Sequence, residues 1–216
     1  MHNTIVSPSI LSADYSNFGD AVSQIEVSGA KWIHMDVMDG SFVPNLTFGP
    51  QLVRALRGKT KAFFDVHLMI VNPRNFIDEF TKAGADSITF HYEAEANCQE
   101  LLTKIHDLGL KAGISIVPST PCSVLEDLLP YIDLALIMTV NPGFGRQTLI
   151  PECLEKVEKL VKMREAGGFN FRISVDGGIN EQTAENVKKA GADVLVVGSA
   201  FFDHPDKKSL INRLQS

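Results

Sequence analysis

The stretch Ala83-Gly84-Ala85-Asp86-Ser87-Ile88-Thr89-Phe90-His91 contains the end of a helix, a one-glycine joint and a short strand. Glycine at 84 accepts the left-handed conformation that closes a helix, and a β-branched, apolar run begins three residues later. The same joint recurs at Ser28-Gly29-Ala30, Leu108-Gly109-Leu110 and Ala190-Gly191-Ala192-Asp193, each time just ahead of a strand-like run. Read outward from there, eight such runs are predicted: Ile5–Ile10, Trp32–Asp36, Ala62–Leu68, Ser87–His91, Lys111–Ile116, Leu134–Met138, Phe171–Val175 and Val194–Val197. Helical spacing and helix formers fill Asn17–Ser28, Pro73–Lys82, Asn97–Leu108, Pro151–Glu165, Glu181–Lys189 and Asp206–Leu214. Strands alternating with helices across tight αβ turns make a parallel sheet with crossover helices. Eight units in 216 residues leave about 27 residues per unit, room for a βα pair and little else. The expected fold is a single (β/α)8 TIM barrel, a parallel eight-stranded barrel with outer helices, over residues 1–216. A doubly wound open sheet is the competing arrangement, and the count of eight favours the barrel.

Composition narrows the functional classes. The net charge is −6, 44% of residues are hydrophobic and mean hydropathy is +0.04. That is ample apolar material for a core, and the acidic balance argues against nucleic acid or anionic membrane as a partner. No apolar run is long enough to span a bilayer. Met1-His2-Asn3-Thr4 leads into the first strand with neither a basic region nor an apolar leader, so no secretory signal is expected. Cys98, Cys122 and Cys153 are odd in number, widely spaced and free of a CxxC pair, which disfavours a disulfide framework or thiolate zinc site and suits a reducing cytoplasm. Homo-oligomerisation is left open.

Active sites of such barrels lie at the C-terminal ends of the strands. His34 and Asp36 are two apart in the second run and share one face; His67 ends the third run with Met69 on its face; Asp176 follows the seventh. Each alone reads as a satisfied buried polar group. Together they make a His2Asp2 set that borderline divalent metals accept, with two carboxylates able to serve as acid and base. Asp39, ahead of Gly40, reads as a turn cap, and Asp65, deeper than His67, as a partner that orients an imidazole. Met38, Met69 and Met138 sit at strand ends, either as core filling or as a soft lining over a ligand. Glycine clusters follow the last three strands: Val140-Asn141-Pro142-Gly143-Phe144-Gly145-Arg146-Gln147, Asp176-Gly177-Gly178 and Gly198-Ser199-Ala200. Backbone N–H groups of late βα loops hold phosphate in barrels of this kind, and glycine permits the close approach.

Five segments carry a resemblance: Ser7-Pro8-Ser9-Ile10-Leu11; His34-Met35-Asp36-Val37-Met38-Asp39-Gly40 with Phe42-Val43-Pro44-Asn45; Asp65-Val66-His67-Leu68-Met69; Met138-Thr139-Val140-Asn141-Pro142-Gly143-Phe144-Gly145; and Val175-Asp176-Gly177-Gly178. With Val197-Gly198-Ser199-Ala200 they resemble, in order and over essentially the whole chain, the ribulose-phosphate 3-epimerase family. The resemblance implies a metal-dependent barrel that interconverts D-ribulose 5-phosphate and D-xylulose 5-phosphate in the pentose phosphate pathway. It implies that His34, Asp36, His67 and Asp176 bind one divalent ion (Zn, Fe, Mn or Co), with Asp36 as proton acceptor and Asp176 as donor in one direction. By the same resemblance Ser9 and His67 contact the sugar, and Met38, Met69 and Met138 line the site. Gly143, Phe144, Gly145, Arg146, Gly177, Gly178, Gly198 and Ser199 hold the sugar and its phosphate.

One position departs from the family pattern. Arg146 stands where a second glycine is common, so its N–H is kept while a positive φ becomes costly; its side chain either meets the phosphate or turns to solvent. The rival readings are a D-allulose-6-phosphate 3-epimerase with the same chemistry, a metal hydrolase on the same ligands, and a non-catalytic phosphosugar-binding barrel.

Overall fold

The β-branched runs form strands where periodicity places them, in a computed structural model that describes residues 4–216. Residues 1–3, behind the expectation of no secretory leader, lie outside the described part. The strands are β1 (Ile5–Pro8), β2 (Trp32–Met38), β3 (Phe63–Met69), β4 (Ser87–His91), β5 (Lys111–Ile116), β6 (Leu134–Met138), β7 (Arg172–Asp176) and β8 (Val194–Val197). All neighbours pair in parallel, in the order β1-β8-β7-β6-β5-β4-β3-β2. A single parallel bridge, Ser9 to His34, joins the two ends of this ladder and closes the barrel, against the open-sheet alternative.

The crossover helices are α1 (Phe18–Ser28), α2 (Pro50–Arg57), α3 (Ile77–Ala83), α4 (Cys98–Asp107), α5 (Leu154–Gly167) and α6 (Ala184–Lys189). After β8 come the one-turn α7 (Ser199–Phe202) and the terminal α8 (Lys207–Gln215). Gly29, Gly84, Gly109 and Gly191, the four predicted joints, all have φ between 81° and 103°.

Two predicted boundaries shift. A 3-10 turn at Pro73–Asn75 precedes α3, because a proline tolerates only the first turn of a helix. A 3-10 turn at Pro151–Cys153 likewise precedes α5. Two elements were absent from the sequence reading. One is α2, which proline starts at its first position and which buries only Val53 and Leu56. The other is the 3-10 segment Cys122–Tyr131 between β5 and β6, which contains Pro130.

The main core lies between strands and helices, where Ile33, Met35, Phe64, Val66, Ile88 and Phe90 point outward from β2, β3 and β4 and are fully buried. Each such side chain contributes about 1.5–3 kcal/mol relative to an exposed one. Inside the barrel the opposite parity is layered. Trp32, Leu134 and Val194 plug the N-terminal end, with the Trp32 ring stacked on Phe63 at 4.2 Å between centroids. Ser7, Thr89, Ser115 and Ser174 occupy the interior, fully buried. Met38 and Met69, paired in register, sit at the mouth with Val43. The polar site therefore rests on an apolar plug. Cys98, Cys122 and Cys153 are buried and unpaired. Among the described residues no helix is long and apolar enough to cross a membrane.

Candidate active site

The inward parity of two adjacent strands builds half the site. In the β2–β3 register His34 lies beside Asp65 and Asp36 beside His67, a checkerboard of imidazoles and carboxylates. Asp176 enters from the end of β7, across the barrel. One ligand atom from each of His34, Asp36, His67 and Asp176 can be chosen so that all lie within 4.8 Å of one another. The first three residues are buried; the Asp176 side chain, 17% exposed, is the open side of the cup.

The neighbours decide how each group presents itself. Asp65 Oδ2 lies 2.8 Å from His34 Nδ1 and its Oδ1 accepts the Ser87 hydroxyl. Asp65 therefore orients an imidazole as expected, but that of His34 on the adjacent strand rather than of His67 on its own. His34 Nε2 is left facing the cup, buried and without a hydrogen-bond partner. A buried imidazole nitrogen without a partner costs stability, and among two carboxylates and a second imidazole it fits a divalent cation. Ser9 donates to Asp36 Oδ2 at 2.5 Å and accepts the Leu11 N–H, so it props the carboxylate from the β1 side. His67 Nδ1 lies 3.2 Å from Asp36 Oδ1, and its Nε2 faces His91 Nε2 at 2.9 Å.

The two carboxylates of the cup are driven apart electrostatically. Burial pushes Asp36 up, but the charges and hydrogen bonds of His34 and His67 outweigh it and hold the carboxyl far below its usual range. Burial raises Asp176 to about 7, with the Asp36 charge adding to the rise and His34 opposing it. Burial disfavours the charged form of His34, yet Asp36 and Asp65 lift it well above an ordinary histidine. Burial, helped by the neighbouring His91 and His34 and opposed by Asp36, brings His67 down to about 4. The cup thus pairs an ionised Asp36 with an Asp176 poised near neutrality.

The other half of the mouth is backbone. Gly177 (φ 121°) and Gly178 (φ 68°) turn the chain sharply after Asp176; a Cβ on Gly178 would lie 2.3 Å from the Leu149 nitrogen. Thr139 holds this turn, its hydroxyl donating to the carbonyls of Asp176 and Gly177. Gly143, Gly145, Gly198 and Ser199 line the same recess, roofed by Met38, Met69 and Met138 and rimmed by the exposed Phe144. The first N–H groups of the α7 turn have no acceptor within it. Asn45 ties the two halves together by donating to the Gly143 carbonyl at 2.7 Å. Arg146 takes the costly conformation, with φ 61°, and its guanidinium meets Asp203 at 2.7 and 3.1 Å on the surface. Asp39 is the expected turn cap, accepting the N–H groups of Ser41, Phe42 and Val71.

His91, Glu93 and Thr47 escaped the sequence reading. Thr47 accepts the Met38 N–H and donates to the Asp36 carbonyl, bracing the end of β2. His91 shares the inward parity of Ser87 and Thr89 and ends β4, a signal that could have been read.

The class is a TIM barrel with a His/Asp cluster able to hold a metal ion and a glycine-walled recess at its C-terminal mouth. A family model described as the ribulose-phosphate 3 epimerase family matches residues 5–202. Ribulose-phosphate 3-epimerase of Treponema pallidum is 53% identical over 197 residues, covering 91% of this chain and 90% of that protein. The Synechocystis enzyme of the same name is 49% identical over 206 residues, covering 94% and 90%. Among solved structures, 3-hexulose-6-phosphate synthase from Salmonella typhimurium superposes with a TM-score of 0.70 at 18% identity over 98% of this chain and 97% of the other, a likeness of fold. The chain belongs to the ribulose-phosphate 3-epimerase family.

Proposed function

We propose that this chain inverts carbon 3 of a ketose phosphate, interconverting D-ribulose 5-phosphate and D-xylulose 5-phosphate, with residues 1–216 acting as one catalytic unit. The observation that carries the reading is the carboxylate pair: Asp36 from β2 and Asp176 from β7 share one cup whose surroundings hold Asp36 far below the usual carboxylate range and raise Asp176 to about 7. Two titratable groups pushed apart in this way are the mark of an acid–base couple. The names of the relatives, at up to 53% identity, support the choice of substrate.

Carbon 3 lies next to the ketone at carbon 2, so its proton is weakly acidic. Asp36, ionised, removes that proton from one face; Asp176, protonated, returns one to the other face. The roles reverse for the opposite direction. His34, Asp36, His67 and Asp176 would hold one divalent ion of the Zn, Fe, Mn or Co kind, which supplies Lewis-acid stabilisation of enediolate charge when bound. Ser9 steadies Asp36 and lines the recess where the sugar hydroxyls would lie, whereas His67, for which the resemblance implies a sugar contact, is fully buried with its ring nitrogens facing Asp36 and His91. Met38, Met69 and Met138 exclude water above the reacting carbons. The backbone of Gly143, Phe144, Gly145 and Arg146, with Gly177, Gly178, Gly198 and Ser199, holds the sugar and its phosphate. Anchoring the phosphate there lends binding energy from a remote group to orient carbon 3.

The test is incubation with D-ribulose 5-phosphate in deuterated water, alongside metal analysis of the purified protein. The expected result is D-xylulose 5-phosphate carrying deuterium at carbon 3, with about one divalent ion per chain. Product without deuterium, or faster turnover of D-allulose 6-phosphate than of the pentose, would overturn the mechanism or the substrate respectively.

A further inference from the structure

Glu93 lies two residues beyond β4, in the 3-10 turn Tyr92–Ala94. Its Oε1 accepts the Val117 N–H at 3.0 Å and the Thr120 hydroxyl at 2.5 Å. Its Oε2 faces His91 Nδ1 at 3.3 Å, and His91 Nε2 faces His67 Nε2 at 2.9 Å. His91 is fully buried, with the Phe42 ring packed on it at 4.7 Å between centroids, so the imidazole has little freedom to turn away. Three side chains thus run in file from the partly exposed Glu93 to a ligand atom of the cup.

A neutral imidazole carries one N–H and one lone pair, so this file has two proton arrangements. In the first, His91 Nδ1–H donates to Glu93, His91 Nε2 accepts from His67 Nε2–H, and His67 Nδ1 keeps its lone pair toward the cup. In the second, His91 Nε2–H donates to His67, a bare His91 Nδ1 confronts the carboxylate, and His67 Nδ1 carries a proton. An ionised carboxylate only accepts, so Glu93 favours the first arrangement, while Asp36, 3.2 Å from His67 Nδ1, favours the second until a cation takes the lone pair of that nitrogen. We infer that Glu93, acting through His91, is a positioning residue that sets the tautomer of His67 and presents its Nδ1 as a metal ligand. His34 receives the same service directly from Asp65 inside the barrel; His67 receives it at one remove. The ligand half of this inference rests on the metal reading above.

The experiment reads tautomers first, by nitrogen-15 NMR of histidine-labelled protein at pH 8, metal-stripped and zinc-loaded. The metal-stripped wild type is expected to hold more of His91 protonated at Nδ1 than Glu93→Gln does, and the zinc-loaded wild type to show His91 protonated at Nδ1 and bare at Nε2. In Glu93→Gln the amide NH2 can face His91 Nδ1, so the His91 tautomer is expected to invert. Zinc affinity, measured by competition with a chromophoric chelator, should then fall about ten- to a hundred-fold. The melting temperature of the metal-free protein is expected to stay near wild type, which separates tautomer control from a merely structural role. A zinc-loaded wild type with His91 protonated at Nε2 overturns the inference and needs no variant to do so. A folded Glu93→Gln protein with unchanged tautomer and zinc affinity overturns it equally. A wild type that takes up no divalent ion sinks the metal reading instead, and the NMR tautomers still decide the relay.

Discussion

The two sides of the barrel mouth work by different physics. The β2–β3–β4 side is built from ionisable side chains, each held by another: Asp65 on His34, Ser9 on Asp36, His91 on His67. The β6–β7–β8 side, apart from Asp176, which reaches across to complete the charged cup, is built from backbone, with Gly177 and Gly178 in conformations that other residues adopt only at a cost. One side governs charge and proton position; the other governs shape and the reach of N–H groups. Among the described residues the one cation lining this mouth, Arg146, is engaged by Asp203, so a phosphate bound here would be met by backbone amides.

Breaking the charged side should cost most. Asp36→Asn and Asp176→Asn are each expected to lower kcat by about 10²–10⁴-fold, the usual worth of a general acid or base, with the fold retained by circular dichroism. Full turnover in either variant would remove that carboxylate from the chemistry.

The backbone side should fail differently. In Gly178→Ala the new Cβ meets the Leu149 nitrogen at 2.3 Å while φ stays positive. The expected cost is about 1–3 kcal/mol of stability, together with a fold rise in KM that exceeds the fold fall in kcat, read from thermal melts and steady-state kinetics respectively. A variant with wild-type KM would show that the Gly177-Gly178 turn does not hold substrate.

A pH series sharpens the contrast, because only the charged side titrates. Asp36 and Asp65 raise His34 well above an ordinary histidine, which favours its protonated form in the metal-free protein. Metal uptake must displace that proton, so affinity should rise with pH, by at most about tenfold per unit for one competing proton. Chelator competition at pH 6.5 and pH 8 checks this; affinity that falls as pH rises would contradict it.

The smallest effect is expected at Arg146. Replacing it by glycine relieves a positive φ, worth about 1 kcal/mol, and loses the surface pair with Asp203, worth about 0–1 kcal/mol. Arg146→Gly should therefore leave stability nearly unchanged and, with the guanidinium engaged by Asp203, leave KM unchanged. A clear rise in KM would return the side chain to the phosphate.

Most of the barrel was legible because strand and helix periodicities are local. The glycine joints mark the αβ turns, and parity two along β2 and β3 puts His34, Asp36 and His67 on one face before any packing is known. The elements that escaped notice are short or broken: α2 has two buried apolar residues, and Cys122–Tyr131 contains a proline. His91 escaped because a single histidine at a strand end acquires meaning only from what faces it.

By itself, the sequence determined the eight units, their order and the set of inward polar residues, since these follow from spacing along one stretch of chain. Tertiary structure alone decided the partnerships. Asp65 serves His34 because the β2–β3 register sets those two residues side by side. Glu93 reaches His67 because β4 lies next to β3, and Arg146 turns to Asp203 because the loops after β6 and β8 meet at the surface. Register and closure join residues far apart in the chain, and electrostatic coupling falls steeply with distance, so the split between Asp36 and Asp176 exists only once the barrel is closed.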